Sequence, residues 1–268
     1  MSETSQLRIF TYLPNPRIWK ATIAARLCGI DVEVRGVAPV ELRTWLWDFD
    51  ARPLTEGELE GASGVARTGK TGYKGQLYKT DAFLKAHPFG TVPAAFSPDG
   101  NTGVFESNSI MRAVARLGAE AFPLYGHDAY SSARIDSFLD VSLVFASASQ
   151  RYLLALSGGS VSTDLHAQVR EALTIYVAGI DQALAARQEF LVGENITLAD
   201  ICFVAELSLF RNERALTAPL AAAGLTPVWD DKLESEYPRA FAHFVRLCAH
   251  PAISPDAAPY LAKLDAAA

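Results

Sequence analysis

Up to about Gly118 this sequence alternates between strand-like and helix-like segments, and beyond that point every periodic segment repeats at helical spacing. Such a pattern specifies an α/β unit followed by an all-helical one, since each kind of element needs its own partner layer to bury its apolar face. The chain opens with a strand over Leu7–Leu13. Asn15-Pro16 then starts a helix, with Asn as N-cap and Pro at the first helical position. Trp19, Ile23 and Leu27 repeat along one face opposite Lys20 and Arg26, and Gly29 supplies a C-cap. Asp31–Val37 alternates as a second strand. From Phe49 to Lys79 no period is sustained, and the segment reads as a long inserted loop. A short helix over Thr80–Ala86 stops before His87-Pro88. Strand Val92–Phe96 then turns through Ser97-Pro98-Asp99-Gly100 into strand Gly103–Phe105. Ser107 caps a helix whose Ile110, Met111, Val114 and Leu117 face one way.

The domains expected from this order are residues 1–120 and 121–268, with a linker in the Pro- and Gly-containing stretch Phe122–Ser132. Leu165, Val169, Leu173, Tyr176, Ile180 and Leu184 trace a long amphipathic helix in the second domain. At 268 residues, half of them hydrophobic, the chain has ample material for two cores. A net charge of -6 and a pI near 5.4 argue against a nucleic-acid partner, which would require a basic stripe. Met1–Leu7 lacks the apolar run of a signal peptide, and no later run approaches membrane-spanning length, so a soluble cytoplasmic protein is expected. Cys28, Cys202 and Cys248 are too few and too scattered for a disulfide framework or a zinc site. They read as buried structural thiols, and no metal is expected.

Two short motifs carry chemistry. In Gly90-Thr91-Val92-Pro93 a proline stands at a strand start, where its missing N–H is tolerated and a cis bond is accessible. Such a kink would turn the main-chain N–H and C=O of Val92 outward, ready to pair with a bound peptide by strand addition. An ordinary strand-start proline is the competing reading. At Glu106-Ser107-Asn108 a strand gives way to a helix, so Ser107 and the following N–H groups can hold a carboxylate at the positive helix end, while Glu106 can pair with an ammonium. Together these describe an amino-acid head such as the γ-glutamyl group of glutathione; a simple N-cap is the alternative for Ser107. Gly64-Val65-Ala66-Arg67-Thr68-Gly69-Lys70-Thr71 satisfies the Walker A pattern, yet neither a strand before it nor a helix after it is legible, so nucleotide binding is not expected.

Val92-Pro93, a hairpin, then Glu106-Ser107-Asn108-Ser109-Ile110 resembles the glutathione-site signature of the cytosolic glutathione transferases. Phe190-Leu191-Val192-Gly193-Glu194-Asn195-Ile196-Thr197-Leu198-Ala199-Asp200-Ile201 resembles that family's C-terminal folding motif, with Thr197 and Asp200 forming a capping box. Tyr237-Pro238 and the helix ending before His250-Pro251 are similar to its closing helix. Within the family, Thr11-Tyr12, Asn15, Arg17, Lys20-Ala21 and Ile23-Ala24-Ala25 look most like the transferase-like domain of the elongation factor one gamma subunit; some bacterial and fungal transferases share parts of the pattern. The resemblance implies a thioredoxin-like domain with a mixed four-stranded sheet, an all-α C-terminal domain, and homodimerisation. Two departures stand out: Thr91 where the family often has Lys, and the length of the 49–79 segment.

The implied chemistry favours glutathione's thiolate over its thiol, which ordinarily titrates near about 8.5. The position that classically holds Ser is Pro16 here, leaving Tyr12, Asn15 and Arg17 as catalytic candidates, with Arg17 preferred for its permanent charge. Val92, Pro93, Glu106 and Ser107 are the implied glutathione contacts. Lys79, with Lys70 and Lys74, is a candidate for the glycyl carboxylate, and the inserted loop is expected to act as a mobile cover. Phe138, Phe145 and Tyr152, spaced seven apart on the first long helix after the linker, are candidates for an apolar pocket, although such a stripe is more often core. The expected activity is a glutathione transferase acting on a hydrophobic electrophile, with aromatic ethers among those considered. The alternative is a non-catalytic binding or scaffold domain of the elongation-factor gamma type. That subunit carries a further C-terminal domain, whereas this sequence ends at Ala268 soon after the closing helix, which favours the enzyme as the expectation.

Overall fold

The computed structural model describes residues 5–69, 73, 75–185 and 188–267. The chain divides into two compact units, the first running to Ala121 and the second starting at Phe122.

In the first unit, strand β1 (Leu7–Tyr12) leads through Asn15 into helix α1 (Pro16–Cys28). The Asn15 side chain accepts the N–H of Arg17, and Gly29 closes the helix in the left-handed conformation, so both ends are terminated by the residues that the sequence marks. Strand β2 (Val32–Val37) lies parallel to β1, pairing Leu7 with Val32 through Tyr12 with Val37.

The segment read as a loop is built. Strands β3 (Trp45–Trp47) and β4 (Arg52–Pro53), helix α2 (Glu56–Gly61), and strands β5 (Ala66–Thr68) and β6 (Gln76–Lys79) form a second, small sheet in the order β4-β3-β6-β5. Two- to four-residue strands are too short to show a period. The segment is held by anchors instead: Trp47, Leu42, Ala51 and Leu77 are buried in one cluster with Phe10 of β1. The Phe10 and Trp47 rings meet edge-on at 5.4 Å between centroids. α2 has a capping box of its own, with Thr55 and Glu58 exchanging hydrogen bonds. The segment expected to be an inserted loop is thus a packed subsheet over its described residues. The Walker-like run does not open a helix: Gly64 and Val65 end a 3₁₀ turn, and Ala66–Thr68 is the edge strand β5, with Lys70 and Thr71 outside the described residues. Lys74 lies outside them as well.

Helix α3 (Asp81–Ala86), capped by Thr80, precedes strands β7 (Ala94–Phe96) and β8 (Gly103–Phe105) and helix α4 (Ser107–Leu117). β7 runs antiparallel to both β1 and β8, giving a mixed four-stranded sheet in the order β2-β1-β7-β8. Ile110, Met111 and Val114 of α4 are buried, whereas Leu117 is half exposed.

The second unit is helical: α5 (Ala129–Ser157), α6 (Thr163–Ala183), α7 (Leu198–Phe210), α8 (Thr217–Ala222), α9 (Asp231–Glu236), α10 (Pro238–Cys248) and α11 (Ser254–Ala267). α7 is buried along almost its whole length, as suits a central helix that is apolar all round. Its first turn is tied by Asp200, whose carboxylate accepts from the N–H and hydroxyl of Thr197 (both 2.9 Å) and the N–H of Leu191 (3.0 Å), and pairs with His243 Nε2 (2.9 Å). No described helix is long and apolar enough to cross a membrane.

Candidate functional site

Strand register brings the singled-out motifs to one edge of the sheet. Pairing of Phe10 with Ala94, and of Ala94 with Phe105, sets the C-terminal end of β1, the N-terminal end of β7 and the C-terminal end of β8 side by side. Tyr12, Asn15 and Arg17 follow from the first of these ends, Val92-Pro93 leads into the second, and Glu106-Ser107 emerges from the third.

The Val92–Pro93 bond is cis. Sheet pairing of β7 starts at Ala94, so the main chain of Val92 stands outside the β1 and β8 ladders. Two buried side chains hold the loop before it. Lys79 Nζ donates to the carbonyl of Gly90 at 2.6 Å and lies 4.7 Å from the centroid of the Trp47 ring. Gly90 has φ +59, a conformation that favours glycine, and a Cβ there would also crowd Leu84 at 2.9 Å and Lys79 Nζ at 3.3 Å. His87 stacks on Phe105 at 4.8 Å, and its Nε2 accepts the N–H of Thr91 at 3.3 Å. Burial, with the nearby Lys79 charge adding to it, pushes the His87 ring down to about 4, so the ring is neutral at neutral pH. Burial likewise lowers the Lys79 ammonium.

At the third end, Glu106 rather than Ser107 is the N-cap of α4. It is the non-glycine residue with positive φ (66°) among the described residues, a conformation that persists where its surroundings over-determine it. Its carbonyl takes up the N–H groups of Ser109 and Ile110, and its own side chain is exposed. Ser107 is the first helical residue and is buried; its hydroxyl accepts from Lys20 Nζ at 3.3 Å, and the same ammonium donates to Asn108 Oδ1 at 2.8 Å. The sequence pattern placed Lys20 on the outer face of α1. It is completely buried, because α1 packs directly against α4.

At the first end, Asn15 is buried, with Oδ1 capping Arg17 and Nδ2 donating to Thr11 Oγ1 at 3.0 Å. Tyr12 and Arg17 are partly exposed. Sequence reasoning missed Tyr73. Its ring meets Trp47 edge-on at 5.7 Å, and its hydroxyl is buried with no hydrogen-bond partner among the described residues. Burial, together with the field of Tyr12, raises its pKa, so the hydroxyl keeps its proton and remains a donor. Lys20 and His87 were equally hidden, since a lysine at a helical outer position and a histidine before a proline carry no signal of burial.

In the second unit Phe145 and Tyr152 are core side chains. Phe145 stacks on Tyr176 at 4.8 Å, and Tyr152 stacks on Phe210 while donating to the buried Glu213 at 2.6 Å. Phe138 is partly exposed, with the Arg134 guanidinium 4.9 Å from its ring centroid. No group of three or more His, Cys, Asp or Glu side chains that could hold a metal is found among the described residues. Burial raises the thiols of Cys28 and Cys248, the latter up to about 12, which disfavours their thiolate forms.

Comparison with known proteins agrees with this architecture. Residues 16–117 match the glutathione S-transferase N-terminal domain family and residues 136–251 the glutathione S-transferase C-terminal domain family. The chain therefore belongs to the glutathione transferase superfamily. Among its relatives, a probable elongation factor 1-gamma 1 of Arabidopsis thaliana is 31% identical over 249 residues, which is 89% of this chain and 45% of the plant protein. The glutathione S-transferase-like protein FUS3 of Gibberella moniliformis is 30% identical over 51% of this chain and 46% of its own length. The chain thus spans less than half the length of these curated relatives. The fold is shared with the glutathione transferase URE2P6 of Phanerochaete chrysosporium, crystallised with oxidised glutathione, at a TM-score of 0.64 and 18% identity over 98% of this chain and all of that one.

Proposed function

We propose that the protein is a glutathione transferase that binds glutathione at the shared end of β1, β7 and β8 and activates its thiolate for attack on a hydrophobic electrophile. The observation that carries this reading is the register, which gathers an unladdered Val92, the first turn of α4 and the start of α1 at one sheet edge. In this reading Val92 pairs main chain to main chain with the cysteinyl residue beside the cis Pro93, and Ser107 with the first turn of α4 receives the γ-glutamyl carboxylate. Glu106 meets the ammonium. Lys79, whose ammonium has donors beyond the one given to Gly90, serves the glycyl carboxylate. Arg17, Tyr12 and Asn15 lie where the thiol falls, and Arg17 supplies the charge that favours the thiolate.

Of the three aromatic candidates for the electrophile's pocket, Phe138 keeps an accessible ring, and aromatic ethers belong on the substrate panel. Residence in the cytoplasm and assembly as a homodimer complete the proposal. The exposed apolar side chains Val141, Val144 and Ile175, which line a groove between α5 and α6, are where substitutions would probe that assembly. The elongation factor 1-gamma relatives favour a second reading, a glutathione-fold scaffold without turnover. Thermal melts with millimolar glutathione, followed by conjugation assays on aryl halides and aryl ethers, separate the two. A ligand binding only the folded state at a hundredfold its Kd adds about 2.7 kcal/mol. A melting shift with turnover supports the enzyme, a shift without turnover supports a glutathione-binding scaffold, and no shift removes the enzyme reading.

A further inference from the structure

Lysine is almost never fully buried unless its ammonium is satisfied, and Lys20 is fully buried. It reaches from the second turn of α1 to two residues of the first turn of α4, Ser107 Oγ at 3.3 Å and Asn108 Oδ1 at 2.8 Å. An ammonium has three donors and no acceptor, whereas a hydroxyl has one donor and two acceptor sites. Toward Lys20, Ser107 can therefore only accept. Its own proton is left to point elsewhere. The N-terminal end of α4 already carries the positive pole of the helix, and Lys20 adds a full positive charge just behind it, in a low-dielectric setting where that charge is poorly screened. An anion bound outside the first turn would meet both the helix end and the ammonium behind it.

We propose that Lys20 is a positioning residue for the glutathione site: it fixes the Ser107 hydroxyl as a donor toward the ligand and tunes the α4 terminus to a carboxylate rather than to a neutral group. The proposal rests on the glutathione reading above and deepens it by assigning the selectivity of the γ-glutamyl subsite to a residue that does not touch the ligand. The competing role is purely mechanical, a strut between α1 and α4. The two differ in what they do to ligand discrimination and in their dependence on Ser107.

The test uses the full chain with Lys20→Met, which keeps the apolar stem, and Lys20→Gln, which keeps an N–H donor but no charge. Binding is measured by calorimetry for glutathione and for its analogue in which γ-aminobutyryl replaces γ-glutamyl, which lacks the α-carboxylate. Lys20→Met is expected to raise the glutathione Kd by on the order of tenfold while leaving the analogue's Kd unchanged, and Lys20→Gln to fall between Met and wild type. In a Ser107→Ala background the Lys20→Met effect should shrink, because part of it acts through that hydroxyl. Equal losses for both ligands, full additivity with Ser107→Ala, or unchanged glutathione affinity in folded variants would overturn the proposal. Loss of the fold in both variants assigns Lys20 to the strut and overturns it too. Failure of the wild type to bind glutathione is a different outcome, which removes the functional reading on which the proposal stands.

Discussion

Acidification should destabilise the first unit through His87. In the neutral ring Nε2 must keep its lone pair to accept the Thr91 N–H, so the proton sits on Nδ1, which has no partner among the described residues. Charging the ring sets a buried cation close to Lys79. Its pKa is therefore depressed in the folded state, to about 4 against an ordinary 6.5. With the folded value below the unfolded one, the unfolded chain takes up the proton first as pH falls. The contribution is complete above about pH 6.5 and is lost between there and about 4, with a full span of about 3 kcal/mol. Between pH 7 and pH 5 the loss works out at about 2 kcal/mol. Glu58 and Asp99, whose carboxylates are held down to about 2 by Arg52 and by Ser97 respectively, lose their contributions only at lower pH. Urea unfolding followed by tryptophan fluorescence at pH 7, 6 and 5, for wild type and His87→Asn, isolates the ring: Asn retains an acceptor but does not titrate. The wild type should lose about 2 kcal/mol more than the variant across this window. Parallel losses in the two proteins would show that His87 titrates normally in the folded chain and refute the reasoning.

Arg17→Ala should lower turnover by one to two orders of magnitude, as about 1.4 to 2.8 kcal/mol of lost thiolate stabilisation implies, with little change in glutathione affinity. Stopped-flow titration of the bound thiol against pH is the direct readout, and a crippled Tyr12→Phe beside a normal Arg17→Ala would reverse the assignment. Trp47→Ala should cost about 3 to 5 kcal/mol, because it empties the cluster shared by Phe10, Leu77 and Phe83; a loss under about 1 kcal/mol in urea melts would mean that the inserted sheet is only loosely attached. Asp200→Ala should cost at least about 3 kcal/mol by stranding the Leu191 and Thr197 donors together, whereas a neutral result in calorimetric melts would show that water replaces the carboxylate.

The sequence was legible where a local rule acts on adjacent residues. Asn15-Pro16 and Gly29 mark α1 to the residue, and Ser97-Pro98-Asp99-Gly100 marks the hairpin, because caps and turns are set by side chains reaching their own backbone. Thr197 and Asp200 were readable for the same reason. The inserted sheet was not. Its strands are two to four residues long, and what orders them is contact with Phe10 and Phe96, partners distant in sequence. Ser107 shows the limit within a single motif: the sequence locates the helix start, yet only the structure shows that Glu106, at positive φ, takes the cap and leaves the serine inside the first turn.

The same distinction governs the candidate site. Val92-Pro93 and Glu106-Ser107 are contiguous motifs, and strand register alone suffices to bring them together. The residues that support them, Lys79 under Gly90, His87 under Thr91 and Lys20 under Ser107, are buried polar groups reached across 4 to 87 positions of sequence. Each holds a neighbour that faces the proposed ligand; His87 and Lys20 do only that, whereas Lys79 also meets the glycyl carboxylate in the proposed reading. A buried lysine or histidine costs stability unless it is satisfied, so its presence at three points around one sheet edge is best understood as fixing the loop and helix end in a single arrangement. Preorganisation of this kind lowers the ordering cost of binding a flexible tripeptide. It also predicts where the site is fragile: substitution of His87 or Lys20, neither of which reads as functional from the sequence, should loosen glutathione binding while leaving the contacting residues intact.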